Sequence, residues 1–324
     1  MHIQEVFDLV KDDICSVEEV FKKNLKSSAP LVGKVGEYIL ASGGKRFRPL
    51  LLLLSARLCG YKGENHVPLA GVMEFIHTAT LLHDDVVDNA NMRRGNAAAN
   101  TVWGDGASIL VGDFLLSKAF TMAVSHGNER VLQVLSQSTT RMAEGEMLQL
   151  VKHGDIDMTE ENYFEIISNK TAVLFSSCSQ VAAILGEAGL EREVALANYG
   201  MRIGTAYQLM DDCLDYVSTD KDLGKSIGTD LREGKVTLPL IQAYKVANET
   251  ERSVLKTAID ADEFDDTKLK EVLDIIKRCG GIEYAEEYAR RLVAEAKADL
   301  ECFEPVVERA ALEAVADYVI ERSF

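Results

Sequence analysis

Two copies of one short acidic pattern, each set in apolar helical sequence, restrict what this chain can fold into. Leu82-His-Asp-Asp-Val-Val-Asp88 carries Asp84, Asp85 and Asp88, and Met210-Asp-Asp-Cys-Leu-Asp215 carries Asp211, Asp212 and Asp215. Residues four apart share a face of an α-helix, so Asp84 and Asp88 point the same way with Asp85 beside them. Carboxylates packed this closely repel one another unless a cation sits between them. One triplet alone reads equally well as a solvated turn or a cap. Two with the same spacing read as facing halves of one divalent-metal site. Oxygen ligands with no cysteine or paired histidine among them favour a hard cation such as Mg2+, which bridges carboxylates and phosphates.

Helical periodicity fills the rest of the chain. Val6, Leu9, Val10, Ile14, Val17, Val20 and Phe21 fall at three- and four-residue steps and predict a helix over 5–25. Arg48-Pro49 suits the first turn of a helix running to Cys59-Gly60, and Pro68 opens one that reaches the first acid triplet. A polar loop follows at 89–100. Further helices are expected over 106–125, 128–151, 160–186, 191–217, 236–258, 266–279, 282–300 and 305–322, with a mobile active-site loop at 218–230. No window alternates cleanly enough for a sheet. The expected fold is all-α: a single domain over 1–324, a helical bundle around a deep central cavity with its site between facing helices.

Bulk properties exclude several functions. A net charge of −17, only six of it from the motif aspartates, argues against a nucleic-acid partner. A polyanionic substrate would need metal ions and a local basic cluster to overcome that field. The longest apolar run, Leu50 to Leu54, predicts no membrane span, and the first residues predict no signal peptide. Six scattered cysteines without a C-x-x-C pair predict reduced thiols and a cytoplasmic location.

Basic residues gather around the first acid motif in the sequence. Gly44-Lys-Arg-Phe-Arg-Pro49 sets Lys45, Arg46 and Arg48 at a helix start, and Arg93-Arg94-Gly95 lies just past the acids. Unpaired helix N–H groups with nearby cations favour phosphate. Lys170 interrupts an apolar helix beside Ile166, Ile167, Val173 and Leu174: it either snorkels to solvent or reaches a phosphate in a cleft. Gln208, three residues before Asp211, can present its amide to the same cavity. Lys225 and Lys235 flank the far half of the polar loop as cations able to close over an anion. His77 can face the cleft of Asp84, whereas His83 points elsewhere and packs or caps. Beneath the acids the helix carries Thr80, Ile76 and Met73, flanked by Ala79. That stripe is core packing, the wall of an apolar cavity, or both.

These residues resemble the trans-polyprenyl diphosphate synthases, head-to-tail prenyltransferases with an all-α fold. The ordered set runs over nearly the whole chain: Gly43-Gly-Lys-Arg-Phe-Arg-Pro49, Phe75-Ile-His77, Leu81 to Asp88, Arg93-Arg-Gly95, Gly112-Asp113, Lys170-Thr171, Gly204 to Asp215, Gly224-Lys225 and Gly234-Lys235. The resemblance implies that Asp84, Asp88 and Asp211 ligate Mg2+ on an allylic diphosphate, farnesyl or geranyl diphosphate, with Asp85, Asp212 and Asp215 supporting them. It implies that Lys45, Arg48, His77 and Arg94 hold isopentenyl diphosphate. Arg93, Lys170, Lys225 and Lys235 would grip the allylic diphosphate, and Thr171 and Gln208 would set oxygen dipoles near the developing carbocation. A homodimer is implied on the same ground, as is a membrane-seeking product.

In such enzymes a bulky aromatic just before the first motif goes with short products. Here Ala79 and Thr80 stand at those positions, and no extra residues lengthen Asp84–Asp88. Both features resemble the long-chain members, octaprenyl and similar, whose products become quinone tails. A short-chain farnesyl or geranylgeranyl synthase is the nearest alternative. A class I terpene cyclase would carry a different second motif, and a non-catalytic subunit would be expected to have lost one acid triplet.

Overall fold

The computed structural model describes residues 1–126, 128–217, 227–260 and 265–321. Among them every regular element is helical except one two-residue antiparallel pair, Met92–Arg93 (β1) with Asn96–Ala97 (β2). The described chain forms two compact units.

The first unit contains Met1–Thr139, Leu174–Gly200 and Asp299–Val315. Its helices begin with Ile3–Leu9 (α1), Lys11–Asn24 (α2), Pro30–Ala41 (α3), Phe47–Leu58 (α4) and His66–Val87 (α5). The single helix expected over 5–25 is two, because Val10 leaves helical geometry at φ −120°, ψ 19°. The α3 helix, opened by Pro30 at its first position, was not foreseen. The leucine run Leu50–Leu54 is fully buried in α4, as an all-round apolar helix must be. Apolar residues surround α5 as well: Leu69, Val72, Met73, Phe75, Ile76, Ala79 and Leu82 are all buried. It packs along α2, α4 and Asp105–Ser125 (α7), and Phe75 stacks on Phe21 of α2 with ring centroids 4.1 Å apart. Ala99–Trp103 (α6) links the β pair to α7. By length and composition α7 is the one helix among the described residues that could cross a membrane.

Glu129–Val151 (α8) continues from the first unit into the second. The second unit contains Thr140–Val173, Met201–Ala298 and Ala316–Phe324. The helix expected over 160–186 is interrupted: Glu160–Ile167 (α9) passes into a π-helical turn at Ser168–Ala172 before Val173–Leu185 (α10). Leu190–Val217 (α11) matches its expected span and carries the second acid motif. Thr229–Arg232 (α12), Leu238–Val246 (α13), Glu249–Ile259 (α14), Asp266–Arg278 (α15) and Gly281–Asp299 (α16) follow, and Val307–Glu321 (α17) ends the described chain. The helix expected over 236–258 is thus also two, divided where Asn248 caps α14 through its side chain and Glu251 bonds back to Asn248 N–H.

Candidate active site

The first acid motif sits on the last turn of α5. Asp84 and Asp88 are half-buried, and Asp88 closes the helix by donating its N–H to Asp84 O at 2.8 Å. Asp85 is buried and points to Arg93, whose Nε donates to Oδ1 at 2.8 Å with Nη2 on the same oxygen. Asn100 and Ala90 both donate to the Asp85 carbonyl. Asp85 therefore anchors the following loop, while Asp84 and Asp88 present carboxylates nearer to solvent.

Four of the five cations foreseen beside this motif, all but Lys45, act through their charge on one side chain. Burial, then the charges of Arg48, Arg94, Arg93 and Arg46, hold the His77 ring well below its ordinary pKa. Burial is the larger cause, and the four guanidinium groups that add to it make a positive field suited to an anion. Lys45 is exposed, and the Arg48 guanidinium lies over the Phe175 ring, 4.6 Å from its centroid. Arg94 reaches the Gly43 carbonyl with Nη1. Gly44 fits under it because a Cβ there would come within 2.8 Å of that nitrogen. His83 packs onto α7, with Nε2 3.2 Å from Ile109 O.

Below the acids, Met73, Ile76 and Ala79 are buried, while Thr80 is half-buried and donates its hydroxyl to His77 O at 2.9 Å. No aromatic side chain of α5 occupies this stripe, since Phe75 is committed to Phe21.

In the second unit the residues form a hydrogen-bonded chain. Thr171 Oγ1 donates to Gln208 Oε1 at 3.0 Å, Gln208 Nε2 donates to Asp212 Oδ1 at 2.7 Å, and Tyr163 O–H donates to Asp212 Oδ2 at 2.5 Å. Burial raises the Asp212 pKa to about 7; the bonds from Tyr163 and Gln208 oppose that, and Asp211 and Asp215 add to it. Asp215 accepts the backbone N–H groups of Thr229 at 3.1 Å and Asp230 at 3.0 Å, the first turn of α12. Asp211 is half-buried. Lys170 stands on the π turn, and its Nζ lies 2.5 Å from Glu146 Oε2 of α8. Lys235 Nζ donates to Glu233 at 2.8 Å. Lys225 and most of the foreseen polar loop lie outside the described residues.

Several contributors escaped the sequence reading. Tyr163 looks like one more core aromatic until it meets Asp212. Asp230 lay within the expected loop, yet burial, Asp212 and Asp215 push its pKa well up. Glu146 meets Lys170, and Glu74 meets Arg46, only through tertiary packing.

Among the described residues no three His, Cys, Asp or Glu side chains are already gathered as a metal site. The donor chemistry nevertheless fits a hard cation. In the first unit Asp85 is buried on Arg93 and Asp84 and Asp88 are half-buried; in the second Asp212 is buried and Asp211 is half-buried, and in both the donors are the carboxylate oxygens that such an ion takes.

A model of the polyprenyl synthetase family matches residues 29–276. Octaprenyl diphosphate synthase of Escherichia coli is 42% identical over 322 residues, 99% of each chain. A decaprenyl diphosphate synthase of Rhodobacter capsulatus superposes with a TM-score of 0.94 at 38% identity, covering 98% of both chains. A polyprenyl synthase of Caulobacter crescentus, solved with calcium and isoprenyl diphosphate, gives 0.95 at 37% identity, covering 99% of this chain and 98% of that one. The fold is the all-α fold of isoprenyl synthases, and the chain belongs to the polyprenyl synthetase family.

Proposed function

We propose that this protein is a Mg2+-dependent trans-prenyltransferase that condenses isopentenyl diphosphate onto an allylic diphosphate, farnesyl diphosphate by preference, to give a long all-trans polyprenyl diphosphate of about octaprenyl length for a quinone side chain. The reading is carried by the pair of Asp-Asp-x-x-Asp motifs in a chain that matches a long-chain synthase from end to end. The family match spans segments of both compact units, so the two are taken as one catalytic domain.

Asp84, Asp88 and Asp211 would hold the metal. Bound Mg2+ would neutralise the leaving diphosphate as a Lewis acid. Lys170 and Lys235, with Arg93 and Lys225, would bind the same leaving group. Lys45, Arg48, Arg94 and neutral His77 would hold the diphosphate of isopentenyl diphosphate. Thr171 and Gln208, already oriented by Asp212, would turn preorganised dipoles toward the allylic cation. Attack by the isopentenyl double bond forms the new C–C bond, and loss of one proton restores an allylic alkene ready for another cycle. The small side chains before Asp84 leave room for a growing chain.

The α7 helix exposes Ile109, Leu110 and Val124, with Leu110 69% accessible. A second copy of the chain would cover this face as a homodimer. Six free thiols support a reducing compartment, the cytoplasm.

Incubation with farnesyl diphosphate, isopentenyl diphosphate and Mg2+, followed by chain-length analysis, tests the reading. Multiple additions are expected. A single addition would favour the short-chain alternative, and no elongation would remove the enzyme assignment. Chelation by EDTA and Asp84→Ala should each abolish product.

A further inference from the structure

Three cations open α4, yet they are used differently. Lys45 is exposed and Arg48 lies over Phe175. Arg46 turns inward: its Nη1 is 3.6 Å from Glu74 Oε2 and its Nε is 3.6 Å from Glu18 Oε1. Glu74 is 6% exposed, and Val17, Phe21 and Pro49 line the small pocket that encloses the pair. Two carboxylates at ion-pair distance balance the guanidinium charge beside these apolar side chains. Its backbone is equally distinctive. Arg46 is the N-cap of α4 at φ 51°, ψ 31°, a left-handed conformation that non-glycine residues seldom adopt and that persists only where the surroundings enforce it.

The turn is held from its other side as well. Arg94, also left-handed at φ 52°, caps the Gly43 carbonyl with its guanidinium. Glu74 lies one helical turn before His77 on α5, so the carboxylate that binds Arg46 belongs to the helix that carries the imidazole. The ion pair therefore ties the Lys45–Arg48 turn to His77.

We infer that Arg46 is a positioning residue: its buried ion pair with Glu74, supported by Glu18, holds the left-handed turn that sets Lys45 and Arg48 against His77 as one diphosphate cradle. The inference rests on the proposed assignment of that cradle to isopentenyl diphosphate. Arg46 itself is not assigned a contact with substrate.

Steady-state kinetics with each substrate varied in turn provide the test. Arg46→Gln and Glu74→Gln should each raise KM for isopentenyl diphosphate roughly tenfold while leaving KM for farnesyl diphosphate within about twofold. The double variant should be no worse than the poorer single one, because both remove the same pair. Arg46→Lys should recover part of the loss. If both KM values rise together, if neither moves, or if the two effects multiply, the inference is overturned. Should Arg46→Gln fail to fold by circular dichroism, Glu18→Gln reports on the same pair from its exposed end, with a KM rise for isopentenyl diphosphate alone of roughly threefold; no rise overturns the inference. Lys45→Ala separates the two levels. An unchanged KM for isopentenyl diphosphate in that variant would remove the cradle assignment and the inference with it, whereas a raised KM beside a silent Arg46 variant would remove the inference alone.

Discussion

Lys170 Nζ lies 2.5 Å from Glu146 Oε2, and both side chains are about one-fifth accessible. A cation proposed to bind a diphosphate thus has a protein carboxylate as its partner before substrate arrives. Binding an allylic diphosphate exchanges one anion for another, which lowers the desolvation cost of holding an ammonium group in a partly buried place. Glu146→Gln removes the competitor, so KM for the allylic substrate should fall by roughly threefold to tenfold. Lys170→Met should raise it by at least about tenfold. Initial rates at varied farnesyl diphosphate decide both, and an allylic KM that rises in Glu146→Gln would show that the carboxylate positions the lysine instead of competing for it.

The π turn that carries Lys170 depends on a glycine of α8. A Cβ at Gly145 would lie 2.6 Å from Lys170 N and 2.9 Å from Asn169 Cβ. The nearest atom is backbone and cannot rotate away. Gly145→Ala should therefore destabilise the protein by about 1–3 kcal/mol and displace the lysine. A lower urea midpoint is expected together with a raised allylic KM. KM for isopentenyl diphosphate should stay unchanged, because its proposed ligands lie in the other unit.

Most of the helices and both acid triplets were legible because apolar spacing and i, i+4 repetition are local properties. The π turn was not. Its extra residue is accommodated by the close approach of Gly145, which is no neighbour in sequence. Asp212 and Asp215 illustrate the same limit. Within the motif they are equivalent carboxylates, yet packing gives one to Tyr163 and Gln208 and the other to the backbone of α12. Arg93, a residue expected to grip the allylic diphosphate, also bonds Asp85 across the turn, a partner that the motif spacing does not reveal. Arg46 was read as one of three similar cations, and only tertiary structure separates it from Lys45 and Arg48. Residue type and spacing single out these side chains; what each one touches follows from what lies across its helix.

Ala79 offers a test of product length. Its side chain is 1% exposed on the stripe of α5 that runs down from the acids. Ala79→Tyr would place a ring there, where the native stripe has none. Chain growth should stop near farnesyl or geranylgeranyl length, while consumption of the first isopentenyl unit continues. Overpacking should cost about 1–3 kcal/mol, so thermal melts accompany the measurement. Unchanged product lengths by radio-TLC from a folded variant would show that this stripe is not the wall.

The neutral state of His77 makes stability depend on pH in a defined direction. In the unfolded chain the imidazole titrates near its ordinary value of 6.5, and in the folded protein burial and four arginines hold it well below that. Below pH 6.5 the unfolded state consequently binds a proton that the folded state refuses. The stability present above that pH is lost as the pH falls toward the depressed folded value. His77→Gln lacks the titration, so its urea midpoint should change less than that of the native protein between pH 7.0 and 5.5. Inorganic pyrophosphate should act in the opposite sense. Its charge offsets the arginine field, raises the imidazole pKa toward the ordinary range, and couples proton uptake to anion binding. Calorimetry at pH 6 in two buffers of different ionisation enthalpy should therefore detect proton uptake in the native protein and less in His77→Gln. Equal uptake in the two proteins would place the titrating group elsewhere.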